Sequence, residues 1–165
     1  MIRARVWKFG DNIDTDRIAP GPYLHLTTPE ELGPHALEGV DPEFPKKFKK
    51  GEIIVGQLNF GCGSSREQAP SALKGIAPGA IIAASYGRIF LRNGVNIGLP
   101  LLTCAEAAHE IKDGDDVEVD LATGKITDHT TGKTYQAQPF PEAIQQIIAA
   151  GGMINYVRQR VGKAE

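Results

Sequence analysis

Pro70 limits what the middle of this chain can become. It follows Asn59-Phe60-Gly61-Cys62-Gly63-Ser64-Ser65-Arg66-Glu67-Gln68-Ala69 and precedes Ser71-Ala72-Leu73-Lys74, which continues as helix. If Ser64 capped that helix in a capping box with Glu67, Pro70 would fall at the sixth helical position. There its ring clashes with the preceding turn and one hydrogen bond is lost, at a cost of about 3 kcal/mol. Proline fits without loss only in the first turn, whose amides lack intrahelical partners. The spacing therefore predicts a helix beginning between Glu67 and Ala69. Ser64, Ser65 and Arg66 then remain in the turn, with free amides around them.

Ahead of the turn, Glu52-Ile53-Ile54-Val55-Gly56-Gln57-Leu58 reads as a short strand, because β-branched residues suit a pleated surface. Strand, glycine-rich turn and helix together aim several N–H groups at one spot, and the positive helix end adds to their pull. Arg66 can hold a carboxylate through two parallel hydrogen bonds, with the serine hydroxyls adding more. Phosphate is the competitor. However, Gly61-x-Gly63-x-x-Arg66 lacks the third glycine of the dinucleotide fingerprint, and no Gly-Lys-Ser/Thr of a P-loop is present.

The 165 residues fit a single domain spanning 1–165, large enough to bury roughly two-thirds of the unfolded surface. A net charge of −2 with both signs mixed gives no reason to expect nucleic acid. No apolar run approaches the roughly 20 residues of a membrane span. The chain opens directly into an alternating strand at residues 1–9 rather than a signal peptide. Two cysteines, Cys62 and Cys104, fit a reducing cytoplasm. They are also too few for an iron–sulfur cluster, which takes three or four such ligands, so any cluster must sit on another polypeptide. Cys62 has no apparent base partner and reads as a small packing residue.

Asp11 to Arg17 is a polar segment before a helix. Asp11 and Asn12 read as turn formers, and for Thr15, Asp16 and Arg17 structural and functional readings both stand. Three prolines among residues 20–29 predict an irregular loop, Pro29-Glu30-Glu31-Leu32 a short helix, and residues 33–51 a surface connection plus a short helix. After the turn come a buried strand at Ala80–Ala84, a helix at Tyr86–Asn93, and a second buried strand at Leu99–Cys104. This alternation predicts parallel pairing with helices over the sheet. Arg88 and Arg92 share a helix face, as a solvated pair or as part of a site. From Asp115 onward three short strands joined by Ala122-Thr123-Gly124 and Thr130-Thr131-Gly132 predict an antiparallel meander. A helix at Glu142–Ala150, with Ile144, Ile147 and Ile148 as core, and a short final helix close the chain.

Gly61-Cys62-Gly63-Ser64-Ser65-Arg66-Glu67-Gln68-Ala69-Pro70 resembles the signature of the small subunits of 3-isopropylmalate dehydratase, homoaconitase and related hydro-lyases. The likeness extends to Asp11–Ile18, Arg88-Ile89-Phe90-x-Arg92-Asn93, Asn96-Ile97-Gly98-Leu99-Pro100 and Gly151–Val157. It implies an α/β fold of the swivelling β/β/α kind, a mixed and mainly parallel sheet flanked by helices with an antiparallel meander added. It also implies a lyase acting on a small hydroxy diacid, active only with a large subunit that carries a 4Fe–4S cluster. In this resemblance Ser64 is the base, acting as an alkoxide; Ser65 and Arg66 hold a substrate carboxylate; and Thr15 and Asp16 lie beside the site. Free amides and Arg66 would lower the hydroxyl pKa that such a base demands.

Tyr23-Leu24-His25-Leu26-Thr27 matches the family's substrate-selecting loop, so His25, Leu26 and Thr27 are candidate substrate contacts. Leu26 would favour an apolar substituent, as in 3-isopropylmalate; a protonated His25 would tolerate an acidic one, as in homoaconitase. A methyl-substituted malate is a further alternative. Outside catalysis, the same turn would serve a carboxylate-binding module.

Overall fold

The computed structural model describes residues 1–164. In chain order its elements are β1 (Ile2–Lys8), α1 (Thr15–Ile18), α2 (Pro29–Leu32), α3 (Phe44–Lys47), β2 (Ile53–Val55), α4 (Gln68–Ile76), β3 (Ala80–Ala83), α5 (Arg88–Asn96), β4 (Leu101–Thr103), α6 (Ala105–Glu110), β5 (Asp116–Asp120), β6 (Lys125–Asp128), β7 (Lys133–Gln136), α7 (Glu142–Ala149) and α8 (Met153–Ala164). The seven strands form one sheet in the order β4-β3-β2-β1-β5-β6-β7. The pairs β1–β2, β2–β3 and β3–β4 are parallel, and β1–β5, β5–β6 and β6–β7 are antiparallel. The predicted meander thus continues the parallel sheet from the far side of β1.

Both faces of the parallel part are covered, which is why its strands read as unbroken apolar runs. Ile53, Val55, Ala80, Ile82 and Leu102 point to one core with Ala107, Ala108 and Ile111 of the α6 region, and with Val117, Val119, Ile126 and Tyr135 of the meander. Ile54, Ile81, Ala83 and Leu101 point to the other, against Ile18, Leu73 and Phe90. In β5 the pattern changes to alternation, with Val117 and Val119 buried and their neighbours half-exposed. Only one face of that strand meets the core.

Three expectations need correction. Residues 33–51 are not merely a surface connection: Leu37 and Phe44 are fully buried. Phe44 packs edge-on to Trp7 and Phe9, with ring centroids 5.3 Å apart in both pairs, and aromatic area of that size goes to the core whatever the prolines around it do. Next, the helix expected from Tyr86 starts at Arg88, because the Tyr86 hydroxyl is drawn to the carbonyls of Ile81 and Leu102 in the sheet. Finally, the closing helix is the longest of the described elements at 12 residues, and of the three isoleucines in α7 only Ile147 is buried while Ile144 and Ile148 are half-buried.

Candidate active-site loop

The helix start predicted from Pro70 is observed. Helix α4 runs from Gln68, so Pro70 stands third, and the residue before it, Glu67, makes no side-chain cap. The first regular bond runs from the Ser71 amide to the Glu67 carbonyl at 3.2 Å. No backbone carbonyl among the described residues accepts from the amides of Gly63, Ser64, Ser65, Arg66 or Glu67. Ser64 and Ser65 are exposed and Arg66 is half-buried.

The turn is stitched to its surroundings on both sides. The Gly61 amide donates to the Ile13 carbonyl (2.7 Å), the Thr15 amide to the Cys62 carbonyl (2.9 Å), and the Gly87 amide to the Phe60 carbonyl (2.9 Å). Gly61 has φ +80°, and a Cβ there would sit 2.2 Å from the Phe90 ring, so both backbone conformation and space demand glycine. Cys62 is half-buried in this stitching, consistent with packing. Asp11 and Asn12, expected to form their own turn, reach across instead: Asp11 accepts from the Leu58 amide at 3.1 Å, and Asn12 from the Asn59 side-chain amide at 3.0 Å.

Helix α1 braces the turn. Its cap is Asp14, whose carboxylate accepts from the Arg17 amide at 2.9 Å; an aspartate just before a helix start is a signal the sequence offered. Thr15, only 2 % exposed, places its Oγ1 3.1 Å from Ser64 Oγ. Asp16 forms an ion pair with Arg66. Ser64, Arg66, Thr15 and Asp16 are therefore brought together, but Thr15 meets the serine rather than an open face.

The loop at 20–29 reaches the same helix by another route. It has no continuous helix, only a 3-10 turn at Gly21–Tyr23. Its Leu24 carbonyl accepts from the Gln68 side chain at 3.2 Å. Helix α2 then crosses α4 with backbones touching: a Cβ on Gly75 would lie 2.1 Å from the Pro29 carbonyl oxygen and 2.8 Å from Gly33 Cα. Thr28 caps α2 with Glu31 in a reciprocal box, and the Thr27 and Thr28 amides hold the Glu31 carboxyl below its ordinary range. His25 and Thr27 are exposed. Leu26 is half-buried against Leu32, Ala36 and Ala72; its apolarity serves packing between α2 and α4. His25 and Thr27, not Leu26, are therefore what this loop turns outward.

Arg88 and Arg92 are exposed. The apolar cavity of about 400 Å³ beside α7, lined by Leu102, Leu121, Phe140 and Ile148 among others, includes none of the loop residues. Among the described residues no three His, Cys, Asp or Glu side chains gather as a metal site, and no helix is long and apolar enough to cross a membrane.

Residues 11–107 match the Aconitase C-terminal domain family. The 3-isopropylmalate dehydratase small subunit of Heliobacterium modesticaldum is 52 % identical over 161 residues, covering 98 % of this chain and 97 % of that one. The isopropylmalate/citramalate isomerase small subunit of Methanocaldococcus jannaschii is 48 % identical over 165 residues, covering 100 % and 98 %. A crystal structure of 3-isopropylmalate dehydratase from the same archaeon superimposes with a TM-score of 0.90 at 48 % identity, covering 96 % of this chain and 94 % of that chain. The family match takes in the whole stitched turn together with α1 and α4, and the likeness to the small subunits runs from end to end: this chain belongs to the aconitase C-terminal domain family, as a small subunit of the 3-isopropylmalate dehydratase type.

Proposed function

We propose that the chain supplies the base and a carboxylate grip to a cytoplasmic hydro-lyase that isomerises 3-isopropylmalate by dehydration and rehydration, in leucine biosynthesis, and that it does so only when joined to a large subunit. One observation carries the reading: Ser64 lies outside its own helix, so its oxygen is free of the capping bond that would have engaged it.

Removing water from a hydroxy diacid means taking a proton from the carbon beside a carboxylate while hydroxide departs. Ser64, as its alkoxide, accepts that proton and becomes a neutral hydroxyl; on rehydration it returns the proton to carbon. The free amides of residues 63–67 and the guanidinium of Arg66 favour the ionised oxygen. Arg66 and Ser65 hold a substrate carboxylate, with Asp16 fixing the direction of the guanidinium. His25 and Thr27, exposed on the loop anchored to Gln68, meet the variable substituent, with Leu26 supporting them from beneath.

A 4Fe–4S cluster, held by the large subunit, would supply the Lewis acid for the departing hydroxyl. The residues of this chain do not fit such a group: Cys62 belongs to the turn and Cys104 is buried beyond β4. Among the described residues no third ligand joins them.

Mixing this chain with its cluster-bearing large subunit and following the ultraviolet absorbance of the unsaturated acid tests the reading. Activity should appear only in the mixture and fall at least about 10³-fold in Ser64→Ala. A mixture in which Ser64→Ala works normally removes the serine as base, and a chain that binds diacids with no turnover would be a carboxylate-binding module. A second substrate reading, a methyl-substituted malate, is favoured by the packing of Leu26 away from the open side. Relative rates on the two diacids separate them, with His25→Arg as the probe for the acidic homoaconitase-type substrate.

A further inference from the structure

The hydroxyl of Thr15 has a single acceptor. Thr15 is 2 % exposed, and among the described residues its Oγ1 makes one hydrogen bond, to Ser64 Oγ at 3.1 Å. A buried hydroxyl left without an acceptor is costly, so its proton points at Ser64. With Thr15 donating, the serine oxygen is the acceptor. The placement is fixed from three directions. The Thr15 amide donates to the Cys62 carbonyl (2.9 Å), the Asp14 cap fixes the start of α1, and Gly63 brings its backbone close enough that a Cβ there would lie 3.4 Å from Thr15 Oγ1. The β-branched side chain adds its own stiffness about χ1.

We infer that Thr15 is a positioning residue for Ser64, donating its hydroxyl to the serine oxygen so that the ionised serine is both oriented and stabilised. The inference rests on the reading of Ser64 as base. Thr15 keeps its proton throughout; the proton that moves is the one exchanged between Ser64 and the substrate carbon. A donor aimed at an oxygen that becomes charged is worth more to the ionised form than to the neutral one. Valine, of nearly the same shape, removes the donor and leaves the fill. Serine restores the donor.

In the complex with the large subunit, Thr15→Val should lower kcat about 10²-fold, leave KM within about threefold, and move the rise of kcat with pH upward by about one to two pH units. Thr15→Ser should recover most of the rate. The inference is overturned if Thr15→Val keeps kcat within about threefold of wild type, if the loss falls on KM alone, or if Thr15→Ser is as impaired as Thr15→Val. Ser64→Ala in the same complex separates the two claims: an inactive Ser64→Ala beside a normal Thr15→Val removes only this inference, whereas an active Ser64→Ala removes the base itself. Crystals of the full chain alone give a readout free of turnover. Ser64 should hold one rotamer in wild type and Thr15→Ser and spread over several in Thr15→Ala; an unchanged single rotamer in Thr15→Ala overturns the orienting role.

Discussion

Asp16, second in α1, is ion-paired with Arg66 beside the turn, the Asp16 side chain 66 % exposed and the Arg66 side chain 28 %. A pair this open contributes little to stability, about 1 kcal/mol at most. Its effect is directional, because a guanidinium has five N–H donors in a rigid fork and Asp16 occupies one side of it.

Asp16→Asn should therefore leave the melting temperature within about 3 °C of wild type. In the complex with the large subunit it should raise KM about tenfold, the equivalent of about 1.4 kcal/mol, with a smaller change in kcat. Initial-rate kinetics on Asp16→Asn beside wild type check it. An unchanged KM would mean that the turn alone aims Arg66.

Gly75→Ala should cost about 2 kcal/mol or more, although alanine is the better helix former. The added carbon has nowhere to go, since it would meet the Pro29 carbonyl oxygen at 2.1 Å and the Gly33 backbone at 2.8 Å. The expected fall is about 4 °C or more in the thermal midpoint, with faster proteolysis in residues 20–29 as α2 lifts from α4. A stabilised Gly75→Ala would show that this crossing is looser than described.

Lys74 ties two stretches that are far apart in sequence. Its ammonium donates to the Ile97 carbonyl, after α5, and to the Gly151 carbonyl at 2.7 Å, in the turn between α7 and α8. Lys74→Met keeps the aliphatic stem and leaves both carbonyls without that donor, so a loss of about 1–3 kcal/mol is expected. Urea titration measures the loss. Hydrogen exchange should locate it, with the amides of α8 exchanging faster than those of β1.

Asp128 is fully buried on β6; among the described residues its Oδ2 has no donor, while Oδ1 accepts from the Thr130 amide at 3.0 Å. Burial first, and the adjacent Asp115 carboxyl next, hold Asp128 above the usual carboxylate range. The folded chain thus binds this proton more tightly than the unfolded one. Its contribution is complete below the unfolded pKa of about 3.9 and is lost as pH rises through the higher folded value. Asparagine keeps an acceptor for Thr130 and presents permanent N–H donors toward Asp115. Asp128→Asn should raise the melting temperature at pH 7 by about 2–6 °C and make no difference near pH 3. A gap that is the same at both pH values would rule out titration of Asp128 as its source.

The sequence by itself determined whatever depends on near neighbours. Pro70 alone was enough to place the start of α4 and to leave Ser64 uncapped, since the clash of its ring involves only the preceding turn. The switch from unbroken apolar runs to alternation separated the parallel strands from the meander, because burial on two faces or one is written into each strand. What only the tertiary structure decided is which distant groups meet. Thr15 against Ser64, Asp16 against Arg66 and Gly33 against Gly75 are each set by how crossovers bring backbones together. The burial of Phe44 and the inward turn of Leu26 follow from the same packing. Local spacing specifies an element and the face it shows; the partner on that face is settled by the summed packing of the whole chain, which no short stretch contains.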